Sequence, residues 1–143
     1  MEEQTRKLLE ECSKGCKMAV NSMNQIREYV QEERLADLIS TYKKKHKELE
    51  EEIAKLLEKA GEEEKEPGMA VSALSWITTS VKLMGREDCG QIAKLLMDGC
   101  NMGIQEITEA LHKYEGASME GKTVARRLIQ IEEKLRKELK AYL

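Results

Sequence analysis

The sequence predicts an all-α protein, a four-helix bundle with one additional short crossover helix. The 143-residue chain has one proline and no phenylalanine, and 36% of its residues are charged, a composition typical of helical proteins. Apolar residues recur at steps of three and four along four long segments, as on the buried face of a helix. Strand signals are absent. The length predicts one domain, residues 1–143, with a core that needs no disulfide.

The first half of the chain predicts two antiparallel helices. The first runs from roughly Glu3 to Gln31 and the second ends at Gly61, which suits a left-handed C-cap. A short polar joint around residues 31–34 separates them. The apolar stripes are Leu9, Cys12, Cys16, Ala19, Met23, Ile26 and Val30, then Leu35, Leu38, Tyr42, His46, Leu49, Ile53, Leu56 and Ala60.

A polar connection and a short helix follow. The stretch "GEEEKEPG" is too polar and too broken for a core, and Pro67 is well placed to start the next helix. The sequence "MAVSALSWITTSVKLM" (69–84) is weakly charged and ends before a glycine. We interpret it as the crossover helix.

The second half predicts two more long helices. One runs from about Asp88 to Tyr114, and the last opens with Ser118 as its N-cap. Each of the four helices needs the others to cover its stripe, which favours a bundle with up-down-down-up order. The stripes are Met97, Cys100, Ile104, Ile107 and Leu111, then Val124, Leu128, Ile131, Leu135 and Tyr142.

Charge and hydropathy exclude several classes of function. The formal net charge of −3 comes from charges spread along the chain, so no cationic surface for nucleic acid is expected. No apolar run is long enough for a membrane span, and the first residues do not resemble a signal peptide. A cytoplasmic protein is therefore predicted, with Cys12, Cys16, Cys89 and Cys100 kept as thiols.

Three stretches resemble the ferritin-like superfamily: "GMAVSALSWITTSVKLMG", "LLMDGCNMGIQEITEALHKYEG" and "ARRLIQIEEKLRKELKAYL". The layout is most similar to a small bacterial ferritin-like family with one added short helix and degenerate metal-ligand positions. The resemblance implies a di-iron layer of Glu and Glu-x-x-His ligands inside the bundle. This chain departs from that pattern, because Lys43 stands where the motif wants Glu and residues 130–133 read "QIEE" without a histidine. A ferroxidase is not expected.

Counting turns from the joints nevertheless places several metal-ligating side chains at one height. Cys16, His46 and Cys100 fall level with Glu132 and Glu133. A set of Cys16, His46, Cys100 and Glu133 suits Zn²⁺ or another transition metal. The alternative is plain core packing, because buried cysteine behaves as a small hydrophobe. Packing is the preferred interpretation.

These observations lead to three functional hypotheses. The first is a non-catalytic ferritin-like bundle that acts by packing or assembly, with no cofactor. The second is a metal-binding bundle that uses the Cys/His/Glu layer. The third is a phosphotransfer bundle with His46 or His112 as acceptor. The wide apolar face of the helix after Asp88 also predicts a homodimer.

Two finer expectations concern named side chains. Glu106 is predicted to face inward and to pair with Arg126 or Arg127, because a lone buried carboxylate is costly. Cys12 and Cys16 are predicted to be buried and unbridged, since side chains four apart on a helix hold their Cβ atoms about 5 to 6 Å apart.

Overall fold

The computed structural model describes residues 1–61 and 88–143, and all regular secondary structure in these ranges is helical. The all-α class is confirmed for this part of the chain, whereas the crossover helix predicted over residues 69–84 lies outside it. None of the described helices is both long and apolar enough to cross a membrane. The helices are α1 (Glu3–Arg27), α2 (Glu33–Lys59), α3 (Cys89–Lys113) and α4 (Met119–Leu139), followed by a 3-10 turn at Lys140–Tyr142.

Each of these helices begins at a side chain that caps its free N–H groups. The carboxylate of Glu32, for example, accepts from the backbone N–H groups of Arg34 and Leu35 at 3.2 and 2.8 Å. Such caps each stabilise a helix by about 1 kcal/mol. The predicted cap of α4 is confirmed, because the Ser118 hydroxyl accepts from the N–H of Gly121 at 3.1 Å. The four capping residues are Glu2, Glu32, Asp88 and Ser118.

The sequence predicted the end of α2 correctly but placed the end of α1 too late. Gly61 adopts φ = 79° directly after α2, as expected for a left-handed C-cap. α1 ends at Arg27, four residues before the predicted Gln31. Val30 is nevertheless buried. The apolar pattern therefore extends past the end of the helix, because a residue in a turn can be buried without being helical.

The start of α1 is fixed to the connection between α3 and α4. The side-chain carbonyl of Gln4 accepts from the N–H of Gly116 at 2.8 Å, and the hydroxyl of Thr5 accepts from the N–H of Ser118 at 2.8 Å. A Cβ atom at residue 116 would lie 2.8 Å from the Gln4 oxygen. A larger residue there would therefore displace the Gln4 amide from this hydrogen bond.

The core of residues 1–61 and 88–143 consists of two apolar clusters, each with residues from all four helices. The sequence predicted one core, whereas here the change from one cluster to the other falls between Tyr42 and Leu49 on α2 and between Leu128 and Leu135 on α4. The partly buried Ile131 contacts both. The first cluster contains Met23, Ile26, Val30, Leu35, Ala36, Ile39, Tyr42, Ile92, Ala93, Leu95, Leu96, Cys100, Leu135 and Leu139. The second contains Leu8, Leu9, Cys12, Cys16, Leu49, Ile53, Leu57, Ile107, Ala110, Ala117, Val124, Ala125 and Leu128.

Candidate functional site

The break between the two clusters is filled by a buried histidine. His46 lies on the inner face of α2 and its side chain is 0% exposed. Its Nδ1 lies 2.6 Å from the backbone carbonyl oxygen of Tyr42, one turn earlier. A carbonyl oxygen can only accept, so Nδ1 carries a proton. The other ring nitrogen, Nε2, hydrogen-bonds Glu132 Oε1 of α4. Both ring nitrogens are therefore occupied by protein groups.

The protonation state of the pair follows from its surroundings. Burial lowers the pKa of His46, but the hydrogen bond and charge of Glu132, together with the carbonyl of Tyr42, raise it more. The net result is a pKa above the ordinary histidine value. We therefore describe the pair as an imidazolium that donates to a carboxylate, enclosed between α2 and α4.

The third member of this group comes from α3. The carboxylate of Glu132, which is 7% exposed, also accepts a hydrogen bond from the thiol of Cys100. Burial raises the pKa of Cys100, and the charge of Glu132 raises it further while Arg136 opposes the shift. Cys100 is therefore a thiol rather than a thiolate at neutral pH. We call His46, Cys100 and Glu132 the polar layer.

The backbone of α3 at Gly103 packs against the carboxylate. A Cβ atom at Gly103 would lie 3.5 Å from the carboxyl carbon of Glu132, in ordinary van der Waals contact. The side chain of Glu132 thus lies flat against the α3 backbone, one turn from Cys100. Three helices together define the position of this carboxylate.

A second contact between α2 and α4 lies one turn of α2 away. The hydroxyl of Tyr42 donates to the carboxylate of Glu138, whose residue is exposed. Burial, followed by the hydrogen bond to Glu138, raises the pKa of Tyr42. The Lys45 ammonium lies 4.8 Å from the centre of the Tyr42 ring. Sequence reasoning missed this contact, since nothing in the pattern links residues 42 and 138.

The structure brings together two of the four predicted metal-site residues. His46 and Cys100 meet in the polar layer, but the carboxylate between them is Glu132, and Glu133 is exposed. Successive residues of a helix are rotated by about 100° about its axis. When Glu132 faces the core, Glu133 therefore faces water. A sequence signal for Glu132 existed: it continues the step of three and four between Leu128 and Leu135.

The other cysteines lie outside the polar layer. Cys16 is buried in the second cluster beside Cys12, and none of the four cysteines forms a disulfide. The prediction that Cys12 and Cys16 are buried and unbridged is confirmed. Burial, with a smaller effect of the Glu11 charge, raises the pKa of Cys12 to about 12. Cys89 is only partly buried, in the first turn of α3.

The predicted pairing of Glu106 is wrong. Glu106 is exposed, and Arg127 instead contacts Glu52 of α2 with 2.7 Å between Nη1 and Oε2. Counting residues from the connection between α3 and α4 predicted the height of Glu106 along the bundle, but not the rotation of α3 about its own axis. That rotation turns Ile107, its neighbour, into the core.

The described residues do not fit the di-iron centre that the ferritin-like resemblance implies. That centre needs several buried carboxylates, whereas the only buried carboxylate in residues 1–61 and 88–143 is Glu132. In the same part of the chain no group of three or more His, Cys, Asp or Glu residues is arranged to hold a metal ion. The arrangement can hold the protonated form of His46 in the core, and it can position α2, α3 and α4 against one another.

Comparison of the chain with protein-family models, with curated proteins and with solved structures finds no match. The function is therefore inferred from the geometry of the polar layer and of the surfaces around it.

Proposed function

We propose that this chain is a non-catalytic helical bundle of the ferritin-like arrangement that acts by packing and self-association. The polar layer carries the proposal. A histidine that serves as a general base or metal ligand needs one ring nitrogen available. Here Nδ1 of His46 donates to the Tyr42 carbonyl and Nε2 is bonded to Glu132. The layer satisfies its own polar groups, as expected for a structural element that specifies how the helices pack.

The composition of the two clusters supports the up-down-down-up order. The first cluster joins the end of α1 and the start of α2 to the start of α3 and the end of α4. The second joins the opposite ends of the same helices. This is the pattern expected if α1 and α4 run in one direction and α2 and α3 in the other. Ferritin-like bundles have the same order of helix directions. This agreement supports the family resemblance independently of the similar sequence stretches.

Self-association is proposed through the outer apolar face of α3. Met97, Ile104 and Leu111 lie along one flank of α3 and are each only partly buried within the chain. Apolar side chains that continue along one helix face are typical of an interface between protein subunits. A two-fold dimer would cover the same face on both copies.

Sedimentation velocity at micromolar concentration tests this assembly. The wild-type chain should sediment at twice the monomer mass of 16.4 kDa. Ile104→Glu should shift the population to monomer, because it places a charge in the apolar contact. Gln105→Glu is the matched control. Gln105 is the next residue along the chain and is exposed, so this variant should leave the dimer intact. A wild-type monomer, or equal loss of the dimer in both variants, contradicts the proposal.

Metal binding by the polar layer is the competing hypothesis: His46, Cys100 and Glu132 come together from three helices, although no group of three such residues in 1–61 and 88–143 is arranged to hold a metal ion. Thermal unfolding with and without excess Zn²⁺ separates the two, because a ligand that binds only the folded state raises its stability. The packing proposal expects equal unfolding temperatures. A rise with Zn²⁺ that disappears in Cys100→Ala would instead establish the metal site. Cys89→Ala is the control for metal bound at a surface thiol.

A phosphotransfer role stays a hypothesis for His112 alone. His46 is enclosed and its ring nitrogens are occupied, whereas His112 is exposed in the last turn of α3. Incubation with acetyl phosphate, followed by intact-mass measurement of wild type and His112→Gln, tests it. The proposal of a non-catalytic bundle expects no added phosphoryl mass in either protein.

A further inference from the structure

The helix α1 differs from the other three helices in how little of it reaches water. No residue in 4–23 is exposed, whereas every turn of α2, α3 and α4 has exposed residues. The side chains of Glu10 and Lys14 are 18% and 28% exposed, compared with 79% and 63% for Lys44 and Glu48 of α2. A helix at the surface of a bundle turns one face to water. α1 is instead covered on all sides.

The other described helices account for the cover on one side only. Cys12 is buried in the second cluster, and Lys14 follows it by two residues, about 200° of rotation around α1. Lys14 therefore faces away from the bundle, as does Lys7, two turns earlier. Within the described residues, the ion pairs of these two lysines are with Glu11 and Glu3 of α1 itself, at 3.7 and 3.3 Å. We call this face the outer side of α1.

The path of the chain between α2 and α3 bears on what covers this side. α2 ends in the second cluster and α3 begins in the first, so the connection returns along the length of the bundle. That length is about 40 Å for the 27 residues of α2, and residues 62–87 are long enough to span it. α1 and α4 each pack against both α2 and α3, which are not neighbours. The connection therefore passes over either α1 or α4.

Burial distinguishes the two routes. The outer side of α4 is exposed, as at Gln130 and Lys137, whereas the outer side of α1 is covered. The middle of the connection, residues 69–84, has ten apolar residues and one charged residue among sixteen, so contact with protein rather than water favours it. Lysine side chains such as Lys7 and Lys14 can pack their methylene groups on an apolar partner while the ammonium group stays in water.

We propose that the outer side of α1 is a docking surface within the protein, and that residues 69–84 of the same chain lie across it. α1 is then the central helix of the molecule, with the bundle on one side and this segment on the other. The surface of α1 is thereby closed to a second copy, which leaves the flank of α3 for self-association. The docking itself does not depend on self-association, because both partners belong to one chain.

Site-specific photo-crosslinking in the full-length chain tests this docking. Lys14→p-benzoylphenylalanine places a photoreactive ketone on the outer side of α1, and irradiation joins it to C–H groups in direct contact. Mass spectrometry of the digested protein should identify residues 69–84 as the target. Lys7→p-benzoylphenylalanine is a second position on the same side. Gln130→p-benzoylphenylalanine, on the exposed side of α4, is the matched control, and its cross-links to residues 69–84 should be absent.

Isotope labelling separates contacts within one chain from contacts between copies. Chains labelled with ¹⁴N and with ¹⁵N are unfolded together in urea and refolded before irradiation, and each expected cross-link joins peptides of one isotope. Pairs of mixed isotope would identify a second copy as the cover of α1 and would overturn the proposal. Cross-links to residues 69–84 from the Gln130 variant but from neither lysine variant would place the connection over α4. A lack of such cross-links in all three variants would also contradict the docking.

Discussion

Two ion pairs between α2 and α4 have similar chemistry but different access to water. At the centre of the bundle, the side chains of His46 and Glu132 are 0% and 9% exposed. Toward the end of α2, the side chains of Glu52 and Arg127 are 51% and 47% exposed, although their charged atoms lie only 2.7 Å apart. Short distance is common to both, so distance does not decide how much each contact contributes to stability.

Solvent decides it. Exposed ion pairs contribute about 0 to 1 kcal/mol, because water already stabilises each charge and salt screens the attraction. A buried charge that loses its partner has no water to replace it, and the loss is several times larger. The comparison therefore predicts a ranking of variants along one pair of helices, from the centre outward.

Breaking the central pair should have the largest effect. His46→Leu or Glu132→Met alone should lower the free energy of unfolding by about 3–5 kcal/mol, since the remaining polar group stays buried without its main partner. The double variant should recover most of that loss, because two apolar side chains of similar size can pack together. Urea unfolding of the four proteins gives the coupling. Additive losses would show that the two residues stabilise the fold independently.

The pH dependence of stability should identify the same pair. Because the folded pKa of His46 is raised, its contribution is fully present below the unfolded pKa of about 6.5. It is then lost as pH rises through the folded value. The slope cannot exceed that of one proton, about 1.4 kcal/mol per pH unit. Unfolding at a series of pH values measures it, and the double variant serves as control. The same slope in the double variant would assign it to other groups.

Removing the hydroxyl of Tyr42 should have a moderate effect. Tyr42→Phe should cost about 1 kcal/mol, as for an ordinary hydrogen bond, because the exposed carboxylate of Glu138 can return to water. Glu138→Gln should cost no more than this. The measurement is urea unfolding under the conditions used for the central pair. Because phenylalanine keeps the ring, a loss as large as that of His46→Leu would mean that the hydroxyl contact contributes as much as the buried pair, which would contradict the ranking by solvent access.

The exposed pair should matter least. Arg127→Gln should change the free energy of unfolding by less than about 1 kcal/mol, and 1 M salt should remove most of that difference. Lys122→Gln provides a control for loss of a positive charge elsewhere on α4. If Arg127→Gln destabilised the protein as strongly as a variant of the central pair, solvent access would not explain the ranking.

The local features of this fold were contained in the sequence. Apolar steps of three and four predicted the four helices, and Ser118 and Gly61 predicted where two of them begin or end. These signals depend only on residues within a turn or two of each other. The height of the polar layer was also predictable, because the rise of 1.5 Å per residue is the same in every helix.

Tertiary packing decided which side chains enter that layer. Glu132 and Glu133 lie at nearly the same height along the bundle, yet Glu132 is buried and Glu133 is exposed. Likewise Ile107 is buried, whereas its neighbour Glu106 is exposed. The choice depends on the rotation of each helix about its own axis. That rotation is set by contacts with three other helices, among them the close approach of Gly103 to Glu132. No local pattern contains this information, because it arises only when the helices meet.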